Sequence, residues 1–147
     1  MCVLLKNLEI LEWLWHDADL HLLTTAWSDS GETSVSLRCE LNPEELRKPL
    51  FQLGIETSII DVQFRPVWHL KTDLIGDIAD REVVLDWHVS DRTPAIELLR
   101  RNGAARDVEL LHHQIKGSGG STIDIICEMI CLEEVKPQKS EIMILSR

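Results

Sequence analysis

The chain has 147 residues, 44% of them apolar and 27% charged, a balance that belongs to a folded globular protein and excludes a disordered one. Fifteen Lys and Arg against 25 Asp and Glu give a formal net charge of −10, which argues against nucleic acid as a partner, because a phosphate backbone rewards clustered cations. The same charge favours encounter with a basic protein and helps to keep the chain in solution.

At the amino terminus, Met1-Cys2-Val3-Leu4-Leu5-Lys6-Asn7 has no basic stretch ahead of its apolar residues. No run in the chain reaches the roughly 20 apolar residues of a membrane span. The expectation is a cytoplasmic protein without a signal peptide or membrane segment, with Cys2, Cys39, Cys127 and Cys131 as reduced, mostly buried thiols. With no internal repeat or flexible linker, residues 1–135 read as one domain. Residues 136–147 read as a tail whose Ile142, Met143, Ile144 and Leu145 could dock as an edge strand or simply fray.

In chain order, Leu8, Leu11, Trp15, Ala18 and Leu22 fit a helical stripe, while Ala18, Leu20 and Leu22 also alternate with Asp17, Asp19 and His21 as a strand would. Thr24, Thr25 and Trp27 favour sheet, so a strand is expected from about Asp19. The turn chemistry of Ser28-Asp29-Ser30-Gly31-Glu32 then predicts a hairpin between Leu20–Trp27 and Thr33–Leu41. Asn42 as N-cap, Pro43 and Glu45 predict a first short helix, limited by Pro49. Ile60, Val62 and Phe64 alternate with Asp61, Gln63 and Arg65; Val83, Leu85, Trp87 and Val89 alternate with Glu82, Val84, Asp86 and His88. A second helix is expected from Thr93-Pro94 to Arg100 and Arg101, stopped by Asn102-Gly103. Val108 to Lys116 then turns through Gly117-Ser118-Gly119-Gly120-Ser121 into Ile123–Leu132. That last strand is apolar on both sides, with Ile125, Cys127, Met129 and Cys131 on one and Ile126, Ile130 and Leu132 on the other. It is expected at the centre of a sheet, or with one face covered by a helix or a second copy, which makes a homodimer one reading. The fold class is α+β, mainly antiparallel sheet, either sandwich-like or a single curved sheet, with two short helices.

Three of the five tryptophans precede a histidine directly: Trp15-His16, Trp68-His69 and Trp87-His88. Strand neighbours face opposite ways, so the indole can enter the core while the imidazole stays outside. That places Trp87 with Leu85 and Val89 inward, and Trp68 with Leu70. Trp15-His16 reverses the rule and puts His16 on the apolar side.

Chemistry-bearing clusters are few. Asp17, Asp19 and His21 share one face of a strand and could hold a divalent metal that activates water, which gives a metal-dependent hydrolase as an alternative. The competing reading is a solvated strand face. His112-His113 points two imidazoles to opposite faces, a surface histidine beside a half-buried one. Cys127 and Cys131 lie about 13 Å apart along a strand, too far for one metal. The Gly117–Ser121 loop lacks the lysine of a phosphate loop and leads into a strand, so it reads as a flexible turn. No nucleophile elbow occurs, and the balance leans away from an enzyme, with no cofactor expected. A further alternative is a small-molecule-binding domain with a pocket between sheet and helix, lined by Trp and Met.

The run Trp15-His16-Asp17-Ala18-Asp19-Leu20 resembles the aromatic-His-Asp-Ala-acidic opening of small β-rich bacterial immunity-protein families, with Trp where Phe is usual and Asp where Glu is common. The resemblance covers about six residues and extends loosely to the order of elements. It implies a cytoplasmic, non-catalytic protein that neutralises a toxin by binding it, and the net charge suits a basic toxin. Within the motif, Trp15, His16, Asp17 and Asp19 would fix the local fold.

Overall fold

A computed structural model describes residues 3–4, 17–41, 54–75, 82–105 and 107–135. The expected first helix after Asn42, the pair Trp15-His16 and the tail 136–147 lie outside these residues. The described elements are β1 (Val3–Leu4), β2 (Asp19–Trp27), β3 (Thr33–Glu40), β4 (Ile59–Asp73), β5 (Glu82–Ser90), α1 (Pro94–Arg101), β6 (Leu111–Gly117) and β7 (Thr122–Glu134). The strands form one antiparallel sheet in the order β1-β7-β4-β3-β2-β5-β6, and β6 also pairs with β7, so six strands close on themselves. Of the two architectures left open by the sequence, the single curved sheet is the one formed.

Closure is uneven around the ring. β4 pairs with β7 along nearly its whole length, from Ile60↔Glu134 to Asp73↔Thr122. The seam between β2 and β5 is only Asp19↔Val83 and Leu20↔Glu82. Two backbone bonds extend it, from Asp17 N–H to the Val84 carbonyl and from Val84 N–H to the Ala18 carbonyl, each 2.9 Å.

The expected hairpin is present, β2 against β3 from Asp19↔Glu40 to Trp27↔Thr33. Its turn is held by Ser28 N–H donating to the Glu32 carbonyl at 2.8 Å and Glu32 N–H donating to Ser28 Oγ at 3.0 Å. Gly31 adopts a φ of 84°, a conformation that costs glycine nothing and most residues something. The expected helix also forms. Thr93 caps it by accepting from Ile96 N–H, Pro94 opens it, and Asn102 and Gly103, with φ 82°, end it.

The interior is one apolar cluster. It draws Leu20 from β2, Val35 and Leu37 from β3, Ile60, Val62 and Phe64 from β4, Val84 and Trp87 from β5, Ile115 from β6, and Ile123, Ile125, Cys127, Ile130 and Leu132 from β7. A smaller cluster outside the sheet seats α1 through Ile96 on Ile126 of β7, together with Ala105 and Leu110. Thus β7 has paired strands on both edges and a helix over its second apolar face, which removes the reason to expect a homodimer through it.

Strict alternation fails in β5, β7 and β4, as well as at a β-bulge between Leu20 and Leu22 of β2. In β5 a register shift between Val84 and Asp86 keeps Val84 and Trp87 inside and turns Leu85 out, 53% exposed, where alternation had placed it in the core. In β7 the inward positions are 123, 125 and 127, then 130 and 132, so Cys127 and Cys131 do not share a face. In β4 they are 60, 62 and 64, then Val67, so Trp68 is 40% exposed and donates its indole N–H to Glu128 at 3.0 Å, while Leu70 sits at the rim. Of the two described Trp-His pairs, only Trp87-His88 follows the expected rule.

Cys39 and Cys127 are free and buried. Burial holds both thiols protonated: it raises the Cys39 pKa far above the ordinary range, with the Asp61 charge adding to it, and it raises that of Cys127, with Glu128 adding, to about 12. Cys131 is disulfide-bonded, which corrects the expectation of four reduced thiols. Among the described residues no helix is long and apolar enough to cross a membrane.

Candidate functional site

The acidic cluster at the start of β2 does not converge. Asp17 sits on a turn with φ 65°, exposed. A β-bulge lies between Leu20 and Leu22, and His21 reaches across to Glu40 Oε2 of β3 at 2.9 Å. Among the described residues no three His, Cys, Asp or Glu side chains are arranged to hold a metal ion. The outer face of β2, β3, β4 and β7 instead carries cross-strand pairs. Arg38 grips Asp61 with two bonds of 2.8 and 3.0 Å, and Gln63 donates to Glu133 at 2.8 Å. Such pairs set register and add modestly to stability.

The glycine-rich loop is covered by a carboxyl side chain of the chain itself. The Glu82 side chain, 6% exposed, lies over the turn, with Oε1 accepting from Ser121 N–H at 3.2 Å. A Cβ at Gly117 would come within 2.9 Å of the Glu82 carboxyl, and one at Gly119 would press closer still on its Oε1. The serines close the loop onto its neighbours, Ser118 Oγ accepting from Val83 N–H and Ser121 Oγ from Ile75 N–H. The loop is therefore a fixed, occupied concavity, where the sequence suggested a flexible turn. Gly119→Ala is expected to cost about 1–3 kcal/mol in urea denaturation, and much less in a Glu82→Ala background, where the clashing carboxylate is gone. A cost independent of Glu82 would contradict this account.

The adjacent histidines do face opposite ways, yet both are buried. His112, outside the ring, joins helix to sheet: Nδ1 lies 2.8 Å from Thr93 Oγ1 and Nε2 lies 3.0 Å from Asp124 Oδ1. This order of hydroxyl, imidazole and carboxylate is that of a hydrolytic triad. The Thr93 hydroxyl, however, also accepts from Ile96 N–H as the helix cap, so it is engaged on both sides and serves as a clasp. His113, inside the ring, is fully buried. Its Nδ1 accepts from the Trp87 indole N–H at 3.1 Å, and its ring meets Phe64 edge to face at 5.0 Å. Nε2 has no hydrogen-bond partner. Burial, with the neighbouring His112 adding to it, lowers the His113 pKa to about 3.

Among the described residues, two features suit contact with another molecule. The first is the tip of the β2–β3 hairpin, where Trp27 is 77% exposed beside Asp29 and Glu32, both exposed. Periodicity had marked Trp27 only as a residue suited to sheet; what it could not show is that the strand outruns the core. The second is a cavity of about 450 Å³ between the end of β5, the end of α1 and the lead into β6. It is lined by Val89, Asp91, Arg100, Glu109, Leu110 and Leu111 among others.

No family model matches the chain, and neither a curated protein nor a solved structure matches it.

Proposed function

We propose that the protein is a non-catalytic binding domain for a basic protein, in an immunity-like role in which it neutralises a toxin partner by masking it. The observation that carries this reading is Trp27. A large aromatic side chain left 77% exposed on a hydrogen-bonded hairpin tip, with acidic residues in the adjoining turn, has the makings of a binding hot spot, because it brings apolar area at low entropic cost. The net charge of −10 supplies long-range attraction to a cationic partner.

The test is capture of partners from extracts of the source cells, followed by calorimetry on the purified partner. The expected result is one basic protein bound at a fixed ratio. Trp27→Ala should weaken it by about 2 kcal/mol or more without moving the unfolding midpoint. Retention of the same proteins by Trp27→Ala and by the Asp29→Lys/Glu32→Lys chain would contradict the reading. The cavity at Arg100 favours a second reading, a small-molecule-binding domain, since its volume suits a metabolite. A metabolite library that leaves the unfolding midpoint unmoved would count against it.

A further inference from the structure

Beyond its first two residues, β2 has a partner on one edge only among the described residues. β3 runs along it to Trp27, whereas β5 meets it only at Asp19 and Leu20. The Ser28 N–H to Glu32 carbonyl bond fixes which residues face which way. Alternating back from it, Ala26, Thr24 and Leu22 bond to Ser34, Ser36 and Arg38 of β3, and the N–H and C=O groups of Leu23, Thr25 and Trp27 point to the open edge. Leu22, Thr24, Thr25, Ala26 and Trp27 are all exposed, so this edge is open to solvent.

Natural edge strands are blunted by Lys, Pro, inward charges or bulges, because an open ladder recruits other strands. The stretch Leu22-Leu23-Thr24-Thr25-Ala26-Trp27 has no charged residue and no proline, and its one bulge lies before it, at His21. It is rich in residues that favour strands. An unprotected edge of this kind is a liability unless something is meant to pair with it.

The charges around it say what. From residue 7 to residue 37 the chain holds no Lys or Arg and six acids, Glu9, Glu12, Asp17, Asp19, Asp29 and Glu32. Asp17 and Asp19 lie before the open edge and Asp29 and Glu32 after it. Antiparallel pairing of two copies through this edge would set Asp17 and Asp19 of one beside Asp29 and Glu32 of the other, four like charges at each end. A second copy is therefore disfavoured, and an extended segment with basic ends is favoured. We propose that the open edge of β2, Leu22–Trp27, binds a basic extended segment of a partner protein by strand addition, with Trp27 covering its end. This rests on the protein-binding reading above and specifies its mode.

The probe is a synthetic eight-residue peptide of alternating Thr and Val with lysine at both ends, compared with the same peptide ending in glutamate. Calorimetric titration of the full chain is expected to favour the lysine peptide by roughly tenfold, with the preference shrinking as salt rises. Thr25→Pro removes an N–H on the open edge while sparing the bonds to β3, and it should abolish peptide binding. Asp29→Lys/Glu32→Lys leaves the backbone and the acids at the other end intact and should cancel the preference between the peptides, which decides the matter if the proline chain does not fold. Equal binding of both peptides, peptide binding unchanged by Thr25→Pro, or a dimer of the free chain in sedimentation would overturn the proposal. A captured basic protein that binds the Thr25→Pro chain at full strength would sink strand addition alone and leave the protein-binding reading standing.

Discussion

Replacing Trp87 with alanine is expected to cost about 3–5 kcal/mol, enough to leave a domain of this size barely folded at 25 °C. Trp87 is the largest fully buried side chain among the described residues, 1% exposed, and stacks on Phe64 at 6.0 Å between ring centroids. Its removal opens a cavity in the middle of the ring, where β4 and β5 face each other. It also takes away the indole N–H that His113 Nδ1 accepts, leaving both ring nitrogens of a buried imidazole without partners. Trp87→Phe refills most of the space but not the hydrogen bond, so it should fall between wild type and alanine. Urea denaturation checks the series, and an alanine variant within 1 kcal/mol of wild type, by the order of magnitude for core truncations, would contradict the packing described here.

Acid should destabilise the fold through His113. Its folded pKa is lowered to about 3 from an ordinary value near 6.5. A lowered pKa means that the unfolded chain binds the proton more readily, so stability is full above the unfolded value and falls as pH drops from about 6.5 toward 3. The slope from this one group is about 1.4 kcal/mol per pH unit, so about 2 kcal/mol is lost by pH 5. His113→Leu removes the titrating group and the orphaned Nε2, and also leaves the Trp87 N–H without its acceptor. The variant is expected to begin less steeply dependent on pH between 6.5 and 5, whatever its stability at pH 7. Parallel slopes for wild type and His113→Leu would show that the titration belongs elsewhere.

The hairpin and α1 were legible because each has local chemistry that decides it. Ser28 to Glu32 can do little but turn, and Thr93-Pro94 with Asn102-Gly103 brackets one short helix. The sheet class followed from alternation, and the two apolar sides of β7 left open a central position, a helix or a second copy over one face, of which the helix is present. What alternation could not reveal was where it breaks. The shift after Val84 expels Leu85, and the changes of inward parity in β4 and β7 expel Trp68 and separate Cys127 from Cys131. Such breaks come from how strands coil around a closed ring, which is a property of all of them together.

The binding features were less legible still. Asp17, Asp19 and His21 looked like a site because they are close in sequence, yet the bulge turns His21 toward Glu40. Glu82 gave no sign of lying in the glycine loop, since 35 residues separate it from Gly117. Trp27 looked like any strand tryptophan, because exposure depends on how far β2 extends past its short seam with β5.

Amide hydrogen exchange along β2 tests the central claim most directly. In the free chain, Leu22, Thr24 and Ala26 should be protected by their bonds to β3, while Leu23, Thr25 and Trp27 exchange as fast as open loops. Saturation with the lysine-ended strand peptide should slow these three by roughly tenfold or more and leave the other three as they were. Protection of Leu23, Thr25 and Trp27 already in the free chain, or no gain on adding the peptide, would contradict an open edge that recruits a partner strand.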